Sequence, residues 1–268
     1  MVILDNILAS KKKEVESRKE LIPIKLLERS IYFNSQPISL KKYIQRPDKV
    51  GIIAEFKRKS PSKGDINKYV SVERTSIGYM QAGASGLSIL TDTDFFGGSS
   101  DDLKEARTFN YCPILRKDFI IDPYQVIEAK SIGADAILLI AAALNTKEIA
   151  SLSKMAASFG MEVLLEIHGE DELNDVSLNE IHLIGVNNRN LQTFETEVAT
   201  SIELADKIPS EVVKISESGI DNPKTILELM KHGFDGFLIG EFFMKHGRPE
   251  KACAELISKI KAMKADQE

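Results

Sequence analysis

Apolar and polar positions along this chain fall into a repeating unit: a helical stretch, a glycine or small residue, then a short apolar run. The unit is clearest in YMQAGASGLSIL (79–90), AKSIGADAILLI (129–140) and LMKHGFDGFLIG (229–240). A glycine at that point suits the left-handed C-cap of a helix, with a buried strand starting two or three residues later. The runs are continuously apolar rather than alternating, as a parallel sheet covered on both faces requires. Eight strands are predicted, at 51–57, 86–91, 113–118, 136–140, 162–167, 182–187, 212–217 and 236–240. Helical patterns lie between them, among others at 72–81, 123–132, 146–159 and 223–232. Eight alternating units predict an α/β protein of the (β/α)₈ TIM-barrel class. An open doubly wound sheet competes. It usually has fewer strands and often opens on a glycine-rich nucleotide fingerprint, and neither GxGxxG nor GxxxxGK[ST] occurs here.

The first 48 residues stand outside this repeat. They are expected to form an N-terminal helical extension (1–48) packed on a catalytic barrel (49–268), one structural domain overall. Ile3, Leu4, Ile7, Leu8 and Val15 make a helical stripe. A second short helix is predicted over 24–32 and a third over 39–46. The pattern does not choose between closing the barrel bottom and covering its other end. The run Lys11–Lys13 reads as a solvated helix face rather than a binding element.

Composition narrows the class. A chain of 268 residues suits one β/α barrel, which takes about 250. The 43% hydrophobic and 28% charged content is that of an ordinary globular protein. A net charge of −5 argues against non-specific nucleic-acid binding but permits a local basic pocket for a phosphorylated small molecule. Cys112 and Cys253 show no CxxC spacing, so a disulfide framework or zinc site is not expected and a reducing compartment is. Residues 1–25 lack the features of a signal peptide. The apolar run 136–143 is far shorter than the ~20 residues of a membrane helix. The expectation is a cytoplasmic protein, monomeric, with no membrane or nucleic-acid partner.

Chemistry is expected where strands end, because the βα loops of such a barrel build the site there. Those positions carry Glu55 and Lys57 on the first strand, Lys117 on the third, and Glu166 on the fifth. The sixth adds Asn187 and Arg189, and the seventh Glu217 and Ser218. Buried charges are costly unless paired. A rim of structural ion pairs would explain one such residue, whereas charged or amide groups from five strands at one rim favour catalysis. Residues two apart, such as Glu55 and Lys57, point the same way. Two lysines among carboxylates can supply an acid, a base and an anchor.

The segments SESGI (216–220) and FLIGE (237–241) place Gly219 and Gly240 in the loops that usually bind phosphate, where glycine lets backbone N–H groups approach an anion. KRKSPSKG (57–64) is consistent with a mobile clamp. Phe95, Phe96 and Phe119 follow the second and third strands, as loop cover or as walls for an aromatic substrate. His168 reads as a polar loop residue, although its position beside Glu166 allows acid–base work. His182, His232 and His246 have no ligand spacing. Cys112 sits at the stability end of its strand, the wrong place for a nucleophile.

The blocks IIAEFKRKSPSKG (52–64), PILRKDFIID (113–122), GVNNRNL (185–191), KISESGI (214–220) and FLIGEFFM (237–244) resemble the signatures of the indole-3-glycerol-phosphate synthase family. The similarity covers essentially the whole chain. It implies a (β/α)₈ barrel that converts 1-(2-carboxyphenylamino)-1-deoxyribulose 5-phosphate to indole-3-glycerol phosphate, carbon dioxide and water, without metal or organic cofactor. By the same resemblance Lys117 is the general acid, and Glu55, Lys57 and Glu166 are further acid–base and anchoring groups. Asn187, Glu217 and Ser218 are polar substrate contacts, and Arg189 supports from its loop. The phosphate would rest on Ser60, Gly219, Gly240 and the backbone of Glu241, whose carboxylate is expected to turn away. Lys57 should lower the pKa of Lys117 and the glutamates raise it, with the balance open. Three other readings stay open: a phosphoribosylanthranilate isomerase, which usually uses a Cys/Asp pair at strand ends; a Schiff-base aldolase on Lys117; and a phosphate-sugar-binding barrel without turnover.

Overall fold

The continuous apolar runs become eight parallel strands: β1 (Ile52–Phe56), β2 (Gly86–Leu90), β3 (Ile114–Lys117), β4 (Ala136–Ile140), β5 (Glu162–Ile167), β6 (Leu183–Asn187), β7 (Val213–Glu217) and β8 (Gly236–Ile239). Each pairs with its sequence neighbours, and β1 pairs with both β2 and β8, closing the barrel. The structure is a computed structural model that describes residues 3–174, 176–190 and 193–266. Leu191, the last residue of one resemblance block, lies outside that set. Among the described residues no helix is long and apolar enough to cross a membrane.

Helices join the strands, and side-chain caps fix their starts. Ser71 accepts from the Arg74 N–H and opens α4 (Val72–Ala82). Asp122 and Gln125 form a capping box, with Pro123 leading α6 (Pro123–Ser131). Asn145 and Glu148 do the same for α7 (Thr146–Ser158). The helix-ending glycines Gly83, Gly133 and Gly233 all take positive φ, as the C-cap reading requires. The other helices after β1 are α5 (Ser100–Phe109), α8 (Asp171–Asn174), α9 (Ala199–Leu204), α10 (Pro223–Lys231), α11 (Glu241–Met244) and α12 (Pro249–Ala265).

Alternation along the strands sorts residues into an outer core and a barrel interior. Ile53, Leu115, Leu138, Leu164, Leu183, Val213, Ile215 and Leu238 fill the interior as one cluster, with Leu40 and Ile44 joined to its lower end. One step up the same faces stand Glu55, Lys117, Glu166, Asn187 and Glu217. The apolar layers thus form a floor on which a charged layer sits.

The extension does two jobs. Leu40 and Ile44 belong to α3 (Leu40–Ile44), which plugs the bottom. Ile3, Leu4 and Ile7 belong to α1 (Ile3–Leu21), which lies across the opposite, functional end. The second predicted helix shrinks to α2 (Ile24–Leu27). Beyond it, Ser30 Oγ donates to the Ser131 carbonyl at 2.5 Å and accepts from the Tyr32 N–H at 3.2 Å. Such side-chain bonds compete with helix continuation. Lys11 corrects the solvated-face reading. It is buried, with Nζ 2.7 Å from Glu14 and 2.9 Å from both Asp92 and Asp118, while Lys12 and Lys13 are exposed.

Candidate active site

Lys117 ends β3 with its ammonium at the barrel axis, 2.9 Å from Glu166 Oε2 and 2.8 Å from Glu217 Oε2. Burial opposes its charge, but Glu166, Glu217 and Glu55 outweigh burial and hold its pKa well above the ordinary lysine value. The balance left open by the sequence therefore falls to the carboxylates. One ammonium cannot neutralise two carboxylates at once. Burial raises both glutamates, but Lys117, His168 and the Asn187 amide bring Glu166 down to about 2. Glu217 receives less support and, with Glu166 close by, is pushed up to about 7. Its Oε1 is buried without a hydrogen-bond partner among the described residues.

Room for these carboxylates comes from missing side chains. A Cβ on Gly185 would lie 2.3 Å from Glu217 Oε1, and one on Gly240 2.3 Å from Glu55 Oε1. Strand register sets Gly185 directly beside Glu166. Asn187 Nδ2 donates to Glu166 Oε1 at 3.0 Å, while the Asn187 Oδ1 accepts from the Arg189 N–H at 3.1 Å. Lys57 pairs with Glu55 at 2.5 Å. Glu55–Lys57 and Lys117–Glu166–Glu217 therefore form adjoining charged groups at one depth.

Lys117, Glu166, Glu55, Lys57, Asn187, Glu217 and Ser218, with Ser60, Arg189, Gly219, Gly240, Glu241, Phe96 and Phe119, line a single cavity of about 430 Å³, whereas His168 lies outside it. Phe96 and Phe119 form one wall, with ring centroids 6.0 Å apart, and Phe95 lies off it. At the other side, Ser218 (φ 69) and Gly219 (φ 72) are consecutive left-handed residues. Left-handed backbone at a non-glycine is strained; here Asn188 Nδ2 holds the Ser218 carbonyl at 3.1 Å. Gly240 precedes α11, and Ser60 and Ser62 come from the short hairpin Lys59–Ser60/Gly64–Asp65. The Glu241 carboxylate does not simply turn away. It pairs with Arg189 Nη2 at 3.2 Å and Lys63 Nζ at 3.8 Å, while Arg189 Nη1 donates to Ser62 Oγ at 3.1 Å.

Sequence reading missed several parts of this cavity. Ile3, Leu4 and Ile7 of α1 line it, as do Lys63, Phe194 and Thr196. The apolar stripe of α1 was visible, but its destination depends on tertiary packing. Asp92 and Asp118 are also new. Asp92 Oδ1 accepts from the Phe95 and Phe96 N–H groups, Asp118 Oδ1 accepts from the Phe119 N–H, and both carboxylates hold Lys11. His168 is not a loose loop residue, because its ring is largely buried beside Glu166. Cys112 is buried at the barrel bottom with its thiol pushed up to about 12 by burial, an inert state. Among the described residues no cluster of His, Cys, Asp or Glu could hold a metal ion.

Comparison with known proteins adds an independent line. A model of the family described as indole-3-glycerol phosphate synthase matches residues 4–256. Relatives bearing that name include one from Bacteroides thetaiotaomicron, 47% identical over 96% of this chain and 98% of the relative. Another, from Campylobacter fetus, is 41% identical over 91% and 95%. The Salinibacter ruber protein is 37% identical over 100% and 99%. Among solved structures, a mutant tryptophan synthase alpha-subunit from Pyrococcus furiosus superposes with a TM-score of 0.61 at 14% identity, covering 80% of this chain and 99% of that one. That likeness speaks for the fold alone.

Proposed function

Because the chain belongs to the indole-3-glycerol phosphate synthase family, we propose that this cavity closes the indole ring with Lys117 as the proton donor. The substrate is 1-(2-carboxyphenylamino)-1-deoxyribulose 5-phosphate, and the products are indole-3-glycerol phosphate, carbon dioxide and water. The carrying observation is Lys117 held protonated between two buried carboxylates on the floor of the cavity. Attack of the carboxyl-bearing ring carbon on the ketone builds alkoxide character, and a positioned ammonium in a water-poor site stabilises and protonates it. Loss of the carboxylate as carbon dioxide restores the aromatic ring, and dehydration completes the pyrrole. Glu166, ionised and steadied by Asn187, is the carboxylate placed to take the departing C–H proton. Glu55 and Lys57 anchor the sugar chain and Ser218 its hydroxyls.

The phosphate rests on the backbone at Gly219, Gly240 and Glu241, with Ser60 and Arg189 closing on it. Phe96 and Phe119 flank the aromatic ring. We read residues 1–48 as an integral part of the same domain, and the working unit as a monomer. A Schiff-base role for Lys117 is disfavoured, since a nucleophilic lysine needs a lowered pKa and this one is raised. The isomerase reading lacks its cysteine at a strand C-terminus.

Incubating the protein with this substrate and following indole fluorescence tests the reading, and absence of indoleglycerol phosphate overturns it. Lys117→Ala should lower kcat by about 10²–10⁴-fold or more. It should leave the chain folded, because Glu166 and Glu217 then share a proton.

A further inference from the structure

A second cavity adjoins the first. His168, Glu172, Asn188, Glu195 and Glu197 line it, and it shares Leu4, Asn187 and Arg189 with the active-site cavity. Glu166 lines only the first cavity and His168 only the second. The two side chains meet through the wall between them, His168 Nε2 lying 3.6 Å from Glu166 Oε1. On its other side, His168 Nδ1 is 3.7 Å from Glu172 Oε2, which is held in place by the His168 backbone N–H at 2.7 Å. Both ring nitrogens are buried, and neither has a hydrogen-bond partner among the described residues. The ring is suspended between two carboxylates, one facing each cavity.

The reaction gives this arrangement a purpose. One C–C bond forms, the bond to the carboxylate breaks with its electron pair returning to the ring, and neutral carbon dioxide leaves. One proton goes to the ketone oxygen and a second to the departing hydroxyl, while a single proton comes off the methylene carbon as the new double bond forms. Each turnover therefore takes up one proton net. Lys117 is buried at the bottom of the cavity, and substrate fills the mouth above it.

We propose that His168 carries this proton from the second cavity to Glu166, so that Lys117 is recharged through the barrel wall. The inference rests on the ring-closure reading above. His168 acts through Glu166 and is a positioning and relay residue rather than a catalytic one. The path runs from Glu172 to His168, to Glu166, and across 2.9 Å to Lys117 Nζ. Burial alone would disfavour the imidazolium, but Glu172, Glu166 and Glu217 outweigh it and raise the pKa of His168. Arg189, Glu195 and Glu197 are the other charged groups lining the ring's cavity. A histidine whose imidazolium is favoured by flanking carboxylates can take up a proton on one side and pass it on at the other.

The test compares wild type with His168→Gln, His168→Ala and Glu172→Gln. His168→Gln keeps an amide in place but cannot relay, and it should lower kcat about ten- to a hundredfold. KM should stay within about twofold, since the substrate contacts are intact. The solvent deuterium isotope effect on kcat should rise as proton supply becomes limiting. Imidazole should restore the alanine variant and leave the glutamine variant unchanged, and Glu172→Gln should show a milder loss. A His168→Gln protein with wild-type kcat and isotope effect overturns the proposal. So does a kcat loss that imidazole cannot rescue and that tracks lost thermal stability. A wild-type protein that makes no indoleglycerol phosphate would fail the underlying reading before these variants are compared.

Discussion

At Glu217 the site keeps a buried carboxyl poised near neutrality. Its pKa of about 7 in the fold, against 4.5 for an unperturbed glutamate, means that the folded chain binds more protons than the unfolded chain between those values. This contribution to stability is complete below pH about 4.5 and is lost as pH rises through about 7. Glu217→Gln should remove the slope. Urea midpoints of the two proteins should diverge across that window, the variant gaining relative to wild type as pH rises. Parallel midpoints would show Glu217 to be ionised throughout. Gly185→Ala probes the same carboxyl sterically. With 2.3 Å between the new Cβ and Glu217 Oε1, Glu217 must leave Lys117, and a displacement of this size should cut kcat about a hundredfold. The charged residues themselves were legible, because apolar strands ending in charge are conspicuous. Their division into a low and a high pKa was not. It depends on which carboxylate Asn187 reaches, and that is a matter of strand register.

At the scale of elements, Lys11 is the buried charge among those that hold α1 down. Lys11 joins Asp92 and Asp118, and these carboxylates also fix the backbone amides that carry Phe96 and Phe119. Below them Arg116, fully buried, binds Asp118 at 3.0 Å and Glu128 at 2.6 Å, and Arg18 of α1 binds Glu128 as well. Breaking a buried pair by removing one partner costs about 3–5 kcal/mol. Lys11→Met should therefore show a loss of that order in chemical denaturation. It should also raise KM, as the aromatic wall loses its support. Lys12→Met and Lys13→Met, on the exposed face, should stay within about 0.5 kcal/mol of wild type. The sequence presents three adjacent lysines as equals. Only the packing of α1 against the second and third βα loops separates the buried one, and helical periodicity does not report that docking. The shortened α2 has a similar origin, since Ser30 is diverted by the distant carbonyl of Ser131.

For the molecule as a whole, architecture was the most legible level. Glycine C-caps and continuous apolar runs place all eight strands within a residue or so of their observed ends, because each βα unit is specified locally. What closes the barrel below is less local. Leu40 reaches the interior cluster from α3, so Leu40→Ala should cost about 2–5 kcal/mol. Because this lies at the end remote from the cavity, kcat and KM measured on the folded fraction should be unchanged. A shift in KM would couple floor to mouth.

The pairing of Arg189 with Glu241 and Ser62 makes ligand capture an exchange rather than a simple attraction. The resident carboxylate already pairs with Arg189, so at that guanidinium an incoming anion gains only by the excess of its own charge. A phosphate dianion wins this competition clearly, whereas a sugar carboxylate merely trades places. Below pH about 6, where a phosphate monoester becomes a monoanion, the advantage disappears. On the phosphate reading proposed above, the mouth would therefore sort anions by valence, favouring a dianion over a singly charged look-alike without a steric filter.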